Sequence, residues 1–159
     1  MSVDLKDNLE SNSLVERNGL LYMVNSETPY TGITNLELNS SDPKAGTITK
    51  YADQTAEYKN GLKDGLEVTT HLDGKLEEVY YKKGLRHGPN VIYYEGSKSS
   101  ELTYKNDVLD GRYITWHFNG QKAREVNYVN GKEEGLETEW NEAGEKIREV
   151  NHKKSLLNK

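Results

Sequence analysis

Four histidines and several pairs of acids are the side chains of this sequence that could do catalytic chemistry. The histidines lie far apart along the chain, at His71, His87, His117 and His152. Adjacent acids such as Glu77 and Glu78 would point to opposite faces of a strand, so they cannot form a carboxylate pair by themselves. Gly74-Lys75 and Gly131-Lys132 lack the other residues of a phosphate-binding loop. The sequence therefore predicts no catalytic, cofactor-binding or metal-binding residues, and no enzyme.

The composition limits the class of protein and the kinds of partner. The chain has 159 residues, of which 33% are hydrophobic and 30% are charged, and 11 of them are tyrosines. Because a tyrosine buries a large ring and keeps a polar tip, this composition favours a thin, half-exposed structure over a thick core. A net charge of −5 argues against nucleic acid and anionic lipid as partners. The absence of cysteine excludes disulfides and thiolate zinc sites.

The sequence contains no apolar run that approaches the length of a membrane-spanning helix. Residues 1–10 include three acids and do not have the apolar centre of a signal peptide. We therefore expect a cytoplasmic protein. The alternative is a signal sequence that has been removed before Met1.

Most of the chain is an internal repeat. The aromatic residue that marks each copy recurs at steps of 23 and then 24 residues: Tyr58, Tyr81, Tyr104, Tyr128 and, closing the last copy, His152. A glycine follows each of these tyrosines by seven residues: Gly65, Gly88, Gly111 and Gly135. A fixed period of this length indicates a repeat array.

The repeat predicts the division of the chain. We expect a polar N-terminal segment at residues 1–17, one β-repeat domain at 18–152 and a basic tail at 153–159. The domain would consist of a degenerate first copy with an inserted loop and four full copies: residues 18–57, 58–80, 81–103, 104–127 and 128–152. In the N-terminal segment, Leu5, Leu9 and Leu14 are spaced like a helical stripe, so that segment is either a short helix or a frayed tail.

Each copy has the pattern of a β-hairpin. Two β-prone runs flank a tight turn pair, such as Asn119-Gly120, in which both residues can adopt positive φ. The corresponding pairs in the other copies are Asp73-Gly74, Glu95-Gly96 and Ala143-Gly144. In the first copy we expect a strand over 33–38, a loop over 39–46 and a returning strand over 47–58. The predicted fold class is therefore mainly β, an antiparallel array of hairpins in an elongated, twisted sheet.

Alternation with a period of two predicts which residues share a face of that sheet. We expect one face to be a core column: Leu66, Val68, Thr70, Val79, Tyr81, Val91, Tyr93, Leu102, Tyr104, Ile114, Trp116, Val126, Tyr128, Leu136, Thr138, Trp140 and Val150. On the other face we expect a glutamate column and an aromatic patch: Glu78, Glu101, Glu125 and Glu149, with Tyr80, Ile92, Tyr94, Tyr113 and His117. That second face is either a solvated surface that prevents edge aggregation or a partner-binding surface with aromatic anchors. A further alternative is that the N-terminal segment or a loop covers the aromatic patch.

The copies resemble the MORN-variant repeat. Its pattern, roughly Tyr-x-Asn-Gly-x-x-x-Gly, is matched at residues 58–65, 81–88 and 128–135, and an aromatic strand and a closing Asn-Gly turn follow. The chain departs from it at Asp107, Thr70 and His152. Over about residues 20–152 the arrangement is similar to bacterial YwqK-type antitoxin proteins.

This resemblance implies a non-enzymatic binding protein that acts as the antitoxin or immunity partner of a bacterial toxin. It implies no catalytic residues and no cofactor, and it makes a protein the expected partner. The alternative is a structural or membrane-associated scaffold, which some eukaryotic MORN proteins resemble. The acidic balance of the chain argues against binding to an anionic membrane.

Overall fold

A computed structural model describes the backbone of residues 13–42 and 47–152 and the side chains of residues 13–38 and 52–152. This part of the chain contains no α-helix and consists of twelve strands: β1 (Leu14–Arg17), β2 (Leu20–Met23), β3 (Gly32–Asp42), β4 (Thr47–Lys59), β5 (Leu62–His71), β6 (Lys75–Lys82), β7 (Leu85–Tyr94), β8 (Ser97–Lys105), β9 (Val108–Trp116), β10 (Lys122–Val129), β11 (Lys132–Trp140) and β12 (Lys146–His152). The mainly β prediction is confirmed. The short N-terminal helix, one of two alternatives for residues 1–17, does not include Leu14, because β1 begins there. The other two leucines of the predicted helical stripe, Leu5 and Leu9, lie outside the described residues.

Strands β3 to β12 form one open sheet in which each strand pairs with its neighbours in sequence. All of these pairs are antiparallel, so the hairpin array predicted from the repeat is confirmed. Strands β1 and β2 form a separate hairpin that is joined to the first turn of the array. The Leu21 amide donates to the Gly61 carbonyl at 2.9 Å, and the Gly61 amide donates to the Tyr30 carbonyl at 2.7 Å.

The first hairpin is longer than predicted. Residues 39–42 continue β3 and pair with β4 from Lys50 back to Thr47, whereas a loop was expected over 39–46. The prediction was wrong for 39–42 because polar composition does not prevent strand pairing in a sheet with solvent on its faces. Residues 43–46 lie outside the described residues.

The repeat tyrosines and glycines pair across neighbouring strands. The partners in register are Tyr81 with Gly65, Tyr104 with Gly88, Tyr128 with Gly111 and, in the last copy, His152 with Gly135. On its other side, each glycine belongs to a β-bulge, where the register with the preceding strand shifts. The repeating tyrosine and glycine therefore mark a repeating bulge in the sheet.

Successive opening turns are linked along one edge of the sheet. Backbone amides donate to carbonyls one copy earlier: Gly84 to Lys63 at 2.7 Å, Asp107 to Arg86 at 3.0 Å and Gly131 to Leu109 at 2.8 Å. Two aspartates that precede a repeat glycine add to this link, because Asp64 accepts from the Lys83 amide and Asp110 from the Asn130 amide. Each copy thus satisfies turn amides of the next copy, which stabilises the array as a unit.

The predicted core column is wrong, because its residues lie on both faces of the sheet. One row of paired residues crosses the sheet as Val68, Glu78, Val91, Glu101, Ile114, Glu125, Thr138 and Glu149. We call the face that carries this row the glutamate face. The other row contains Ala56, Glu67, Val79, Asn90, Leu102, Tyr113 and Val126, and then Glu137 paired with Val150. We call its face the tyrosine face, because the repeat tyrosines lie on it.

The error has a physical cause. The prediction assumed that apolar residues of neighbouring strands share one covered face. Apart from the β1–β2 hairpin, the described residues form one ten-stranded sheet with no second layer packed along it, so neither face must be uniformly apolar. Instead, buried positions occur on both faces and include Val79, Val91 and Val126 as well as Glu67 and Glu137.

Candidate functional site

The register divides the predicted partner-binding residues between the two faces. The glutamate face carries Tyr80, Glu78, Glu101 and Glu125. The tyrosine face carries Ile92, Tyr94 and Tyr113. His117 lies in the turn that follows β9. The expectation that these eight residues form one patch is therefore wrong.

The glutamates are ion-paired. In three copies a lysine three residues earlier contacts the carboxylate: Lys98 with Glu101 at 2.8 Å, Lys122 with Glu125 at 2.5 Å and Lys146 with Glu149 at 2.6 Å. The hydrogen bond from Lys122, together with the charge of Arg112, holds the pKa of Glu125 below its usual value. The pairing of these three glutamates weakens the case for an acidic strip that would attract a basic protein.

Tyr94 and His117 do come together, at the closing turns of the third and fourth copies. They line a small groove with five further residues: Ser97, Lys98, Ser99, Trp116 and Phe118. We call these seven residues the aromatic groove. Phe118 is 82% exposed and Tyr94 is 40% exposed. Most of the Phe118 ring is in contact with water. Packing within the chain therefore does not explain why a large aromatic side chain occupies this position.

Hydrogen bonds hold the turn that presents Phe118. The His117 amide donates to the Gln121 carbonyl at 2.8 Å, and the Gly120 amide donates to the His117 carbonyl at 2.9 Å. The next hairpin supports the same turn, because the His117 ring Nε2 donates to the Trp140 carbonyl at 2.8 Å. Lys98 lies over the Trp116 ring at 5.2 Å, which fixes the opposite wall of the groove. The exposed aromatic ring is thus carried by a well-supported turn.

The size of the groove limits what it can bind. Its cavity volume is about 30 Å³. Pockets for small ligands have volumes of roughly 300 Å³ or more. The groove can therefore receive a side chain at the surface of a larger partner, but it cannot enclose a small molecule.

Sequence reasoning missed five of the seven groove residues, Trp116 and Phe118 among them, and one group of polar side chains. Trp116 was assigned to the core column, and Phe118 was placed at the end of the strand before the Asn119-Gly120 turn and given no role. In the last copy, Glu133, Glu137 and His152 bring metal-ligand atoms within 4.8 Å of one another. The signal that could have found this group is the histidine at the position of the repeat tyrosine.

Both glutamates of this group are held as carboxylates. Hydrogen bonds from His152 and Arg124 hold the pKa of Glu137 below its usual value. Hydrogen bonds from Arg124 and Tyr128 do the same for Glu133. Two oxygen ligands and one nitrogen ligand of this kind could hold a metal ion.

No protein-family model matches the chain, and no curated protein matches it. Among residues 13–42 and 47–152, no helix has the length and apolarity that are needed to cross a bilayer.

Proposed function

We propose that this chain is a non-enzymatic protein-binding module and that the aromatic groove is its contact surface. The observation that carries the proposal is the exposure of Phe118 beside Tyr94 and Trp116, on a turn held by hydrogen bonds. Aromatic side chains dominate the binding energy of many protein interfaces, and polar residues form the rim around them. Lys98, Ser97 and Ser99 supply such a rim.

The scaffold supports a protein partner over a small molecule. A groove of about 30 Å³ offers no enclosed pocket, while the ten-stranded sheet offers extended faces beside it. A stable protein interface needs roughly 800 Å² on each partner. The faces next to the groove can add this area around Phe118.

The particular function that we propose is that of a cytoplasmic antitoxin or immunity protein. The support for it is the resemblance of residues 58–65, 81–88 and 128–135 to the MORN-variant repeat of such proteins. A binding module of this kind neutralises its toxin by covering a functional surface, so it needs no catalytic residue of its own.

Co-expression with the products of neighbouring genes tests this proposal. We expect one product to slow growth of the host and wild-type chain to restore growth. Phe118→Ala should lose the rescue, whereas Val108→Ala, at an exposed strand position on the opposite edge of the sheet, should keep it. If no neighbouring product is toxic or bound, and the chain instead binds anionic vesicles in a salt-sensitive way, the membrane-associated scaffold replaces the antitoxin.

A further inference from the structure

The last copy brings three ligand atoms to one point on the tyrosine face. His152 Nε2 lies 2.6 Å from Glu137 Oε2 and 3.5 Å from Glu133 Oε2. Ligand atoms around a tetrahedral ion with bonds of about 2.1 Å are about 3.4 Å apart. The longer separation already fits this geometry. The shorter one is a hydrogen bond that would lengthen by less than about 1 Å around an ion.

The second oxygen of each carboxylate is held by a separate donor. Arg124 Nε donates to Glu137 Oε1 at 2.6 Å, and Arg124 Nη2 donates to Glu133 Oε1 at 2.7 Å. The Tyr128 hydroxyl donates to the same Glu133 oxygen at 2.9 Å. These contacts leave Oε2 of each glutamate turned toward His152. Donors of this kind orient the ligands of metal sites and are needed for tight binding.

Burial gives the group one closed and one open side. The Glu137 side chain is 5% exposed, whereas those of Glu133 and His152 are 30% and 26% exposed. An ion could therefore reach the group from solvent and keep a water molecule as a further ligand. Three protein ligands with an open fourth position are common for zinc.

The equivalent positions in earlier copies do not form such a group. They hold Lys63, Glu67 and Tyr81 in the second copy, Arg86, Asn90 and Tyr104 in the third, and Leu109, Tyr113 and Tyr128 in the fourth. In the second copy, Lys63 pairs with Glu67 and the Tyr81 hydroxyl donates to it at 3.3 Å. The fold thus fills these positions without an ion. The last copy has Glu133 where the second and third copies have a cation, and His152 where the earlier copies have a tyrosine. Both are residue types that bind metal ions.

We propose that Glu133, Glu137 and His152 bind one divalent transition-metal ion of the zinc type. An imidazole with two carboxylates suits zinc, whereas calcium and magnesium prefer sites made of oxygen alone. The surroundings tolerate the ion, because three carboxylates, those of Glu133, Glu137 and Glu139, face two guanidinium groups, those of Arg124 and Arg148. The ion would link β12, which lies at the edge of the sheet among the described strands, to β11.

Titration of untagged, chelator-treated protein with Zn²⁺ tests the site. We expect calorimetry to show one ion per chain, and Tm to rise with the logarithm of free Zn²⁺ once the site is saturated. Mg²⁺ at the same concentration should leave Tm unchanged. The proposal is wrong if Zn²⁺ gives no saturable binding, or if Mg²⁺ binds as tightly as Zn²⁺.

Two variants and one control locate the ion. His152→Tyr restores the residue that the other copies carry, so it should fold as the wild type does and lose the response of Tm to Zn²⁺. Glu133→Gln should weaken Zn²⁺ binding at least tenfold, since it replaces a partly exposed ligand without changing its size. His71→Ala removes a histidine far from the group in sequence and should bind Zn²⁺ like the wild type. An equal response of wild type and His152→Tyr would overturn the assignment of these residues.

Discussion

The Cβ of Thr103 lies 2.8 Å from the point that a Cβ on Gly111 would occupy. Real Cβ atoms do not approach other atoms so closely, and Gly111 also has a φ of +131°. The same approach recurs two copies earlier in the array at Gly65, where the Cβ of Glu57 would lie at 2.9 Å. Glycine is therefore required at Gly65 and Gly111 by both the backbone angle and the space at the bulge.

Gly111→Ala should destabilise the protein by about 3 kcal/mol, because a strained φ and overpacking each cost about 1–3 kcal/mol. The matched control is Gly96→Ala, where φ is +79° and nothing lies within 4 Å of the added Cβ. It should cost only about 1–2 kcal/mol. Urea unfolding measures both free energies, and equal losses would show that the contact with Thr103 adds nothing.

Val126→Ala should lower the free energy of unfolding by about 2 kcal/mol. Its side chain is 1% exposed, so the change removes buried methyl groups and leaves a cavity. Val108→Ala, at a position that is 43% exposed, should cost less than about 0.5 kcal/mol. Similar losses at the two positions in urea unfolding would show that burial of the Val126 side chain does not stabilise the sheet.

The free energy of unfolding should fall at alkaline pH because of the raised pKa of Tyr81. Burial and then the charge of Glu67 raise the pKa of Tyr81 to about 12. The unfolded chain releases the same proton near pH 10. Because the folded pKa is the higher one, the contribution to stability is complete below about pH 10 and is lost as pH rises through about 12.

Tyr81→Phe should therefore show a shallower loss of stability between about pH 10 and 12 than the wild type. Urea unfolding across this range gives the slope, and absorbance of tyrosinate should show one late-titrating tyrosine fewer. Tyr80→Phe removes a hydroxyl from the neighbouring residue on the opposite face. Identical slopes for the two variants would show that the raised pKa of Tyr81 does not cause the loss of stability.

The hairpins of this fold could be predicted from the sequence because their signals are local. The pair Asn119-Gly120, for example, lies between β9 and β10 as expected. The faces could not be predicted, because the register between strands depends on bulges such as that at Ile92 and Tyr93. A sheet with one layer also lacks the uniform apolar face on which the prediction relied.

The candidate sites were predictable only in part for the same reason. Tyr94 and His117 were expected at a binding surface, but Trp116 was assigned to the opposite face and Phe118 to none. The prediction put Val150 on one face with Leu136 and Thr138, whereas β11 and β12 pair Val150 with Glu137. Glu137 and His152 therefore share a face. Their contact therefore depended on pairing that alternation within one strand does not determine.

The aromatic groove is tested most directly by a binding measurement. The quantity to measure is the affinity of the purified chain for the toxic neighbouring-gene product whose effect on growth it reverses. Phe118→Ala should weaken Kd at least about 30-fold, since truncation of an aromatic hot spot costs about 2 kcal/mol or more. Its Tm should stay within about 2 °C of the wild type, because the ring is 82% exposed. Leu72→Ala, in the closing turn of the second copy and 67% exposed, should change Kd less than about twofold. A Phe118→Ala variant that binds as tightly as the wild type would show that the partner contacts another surface.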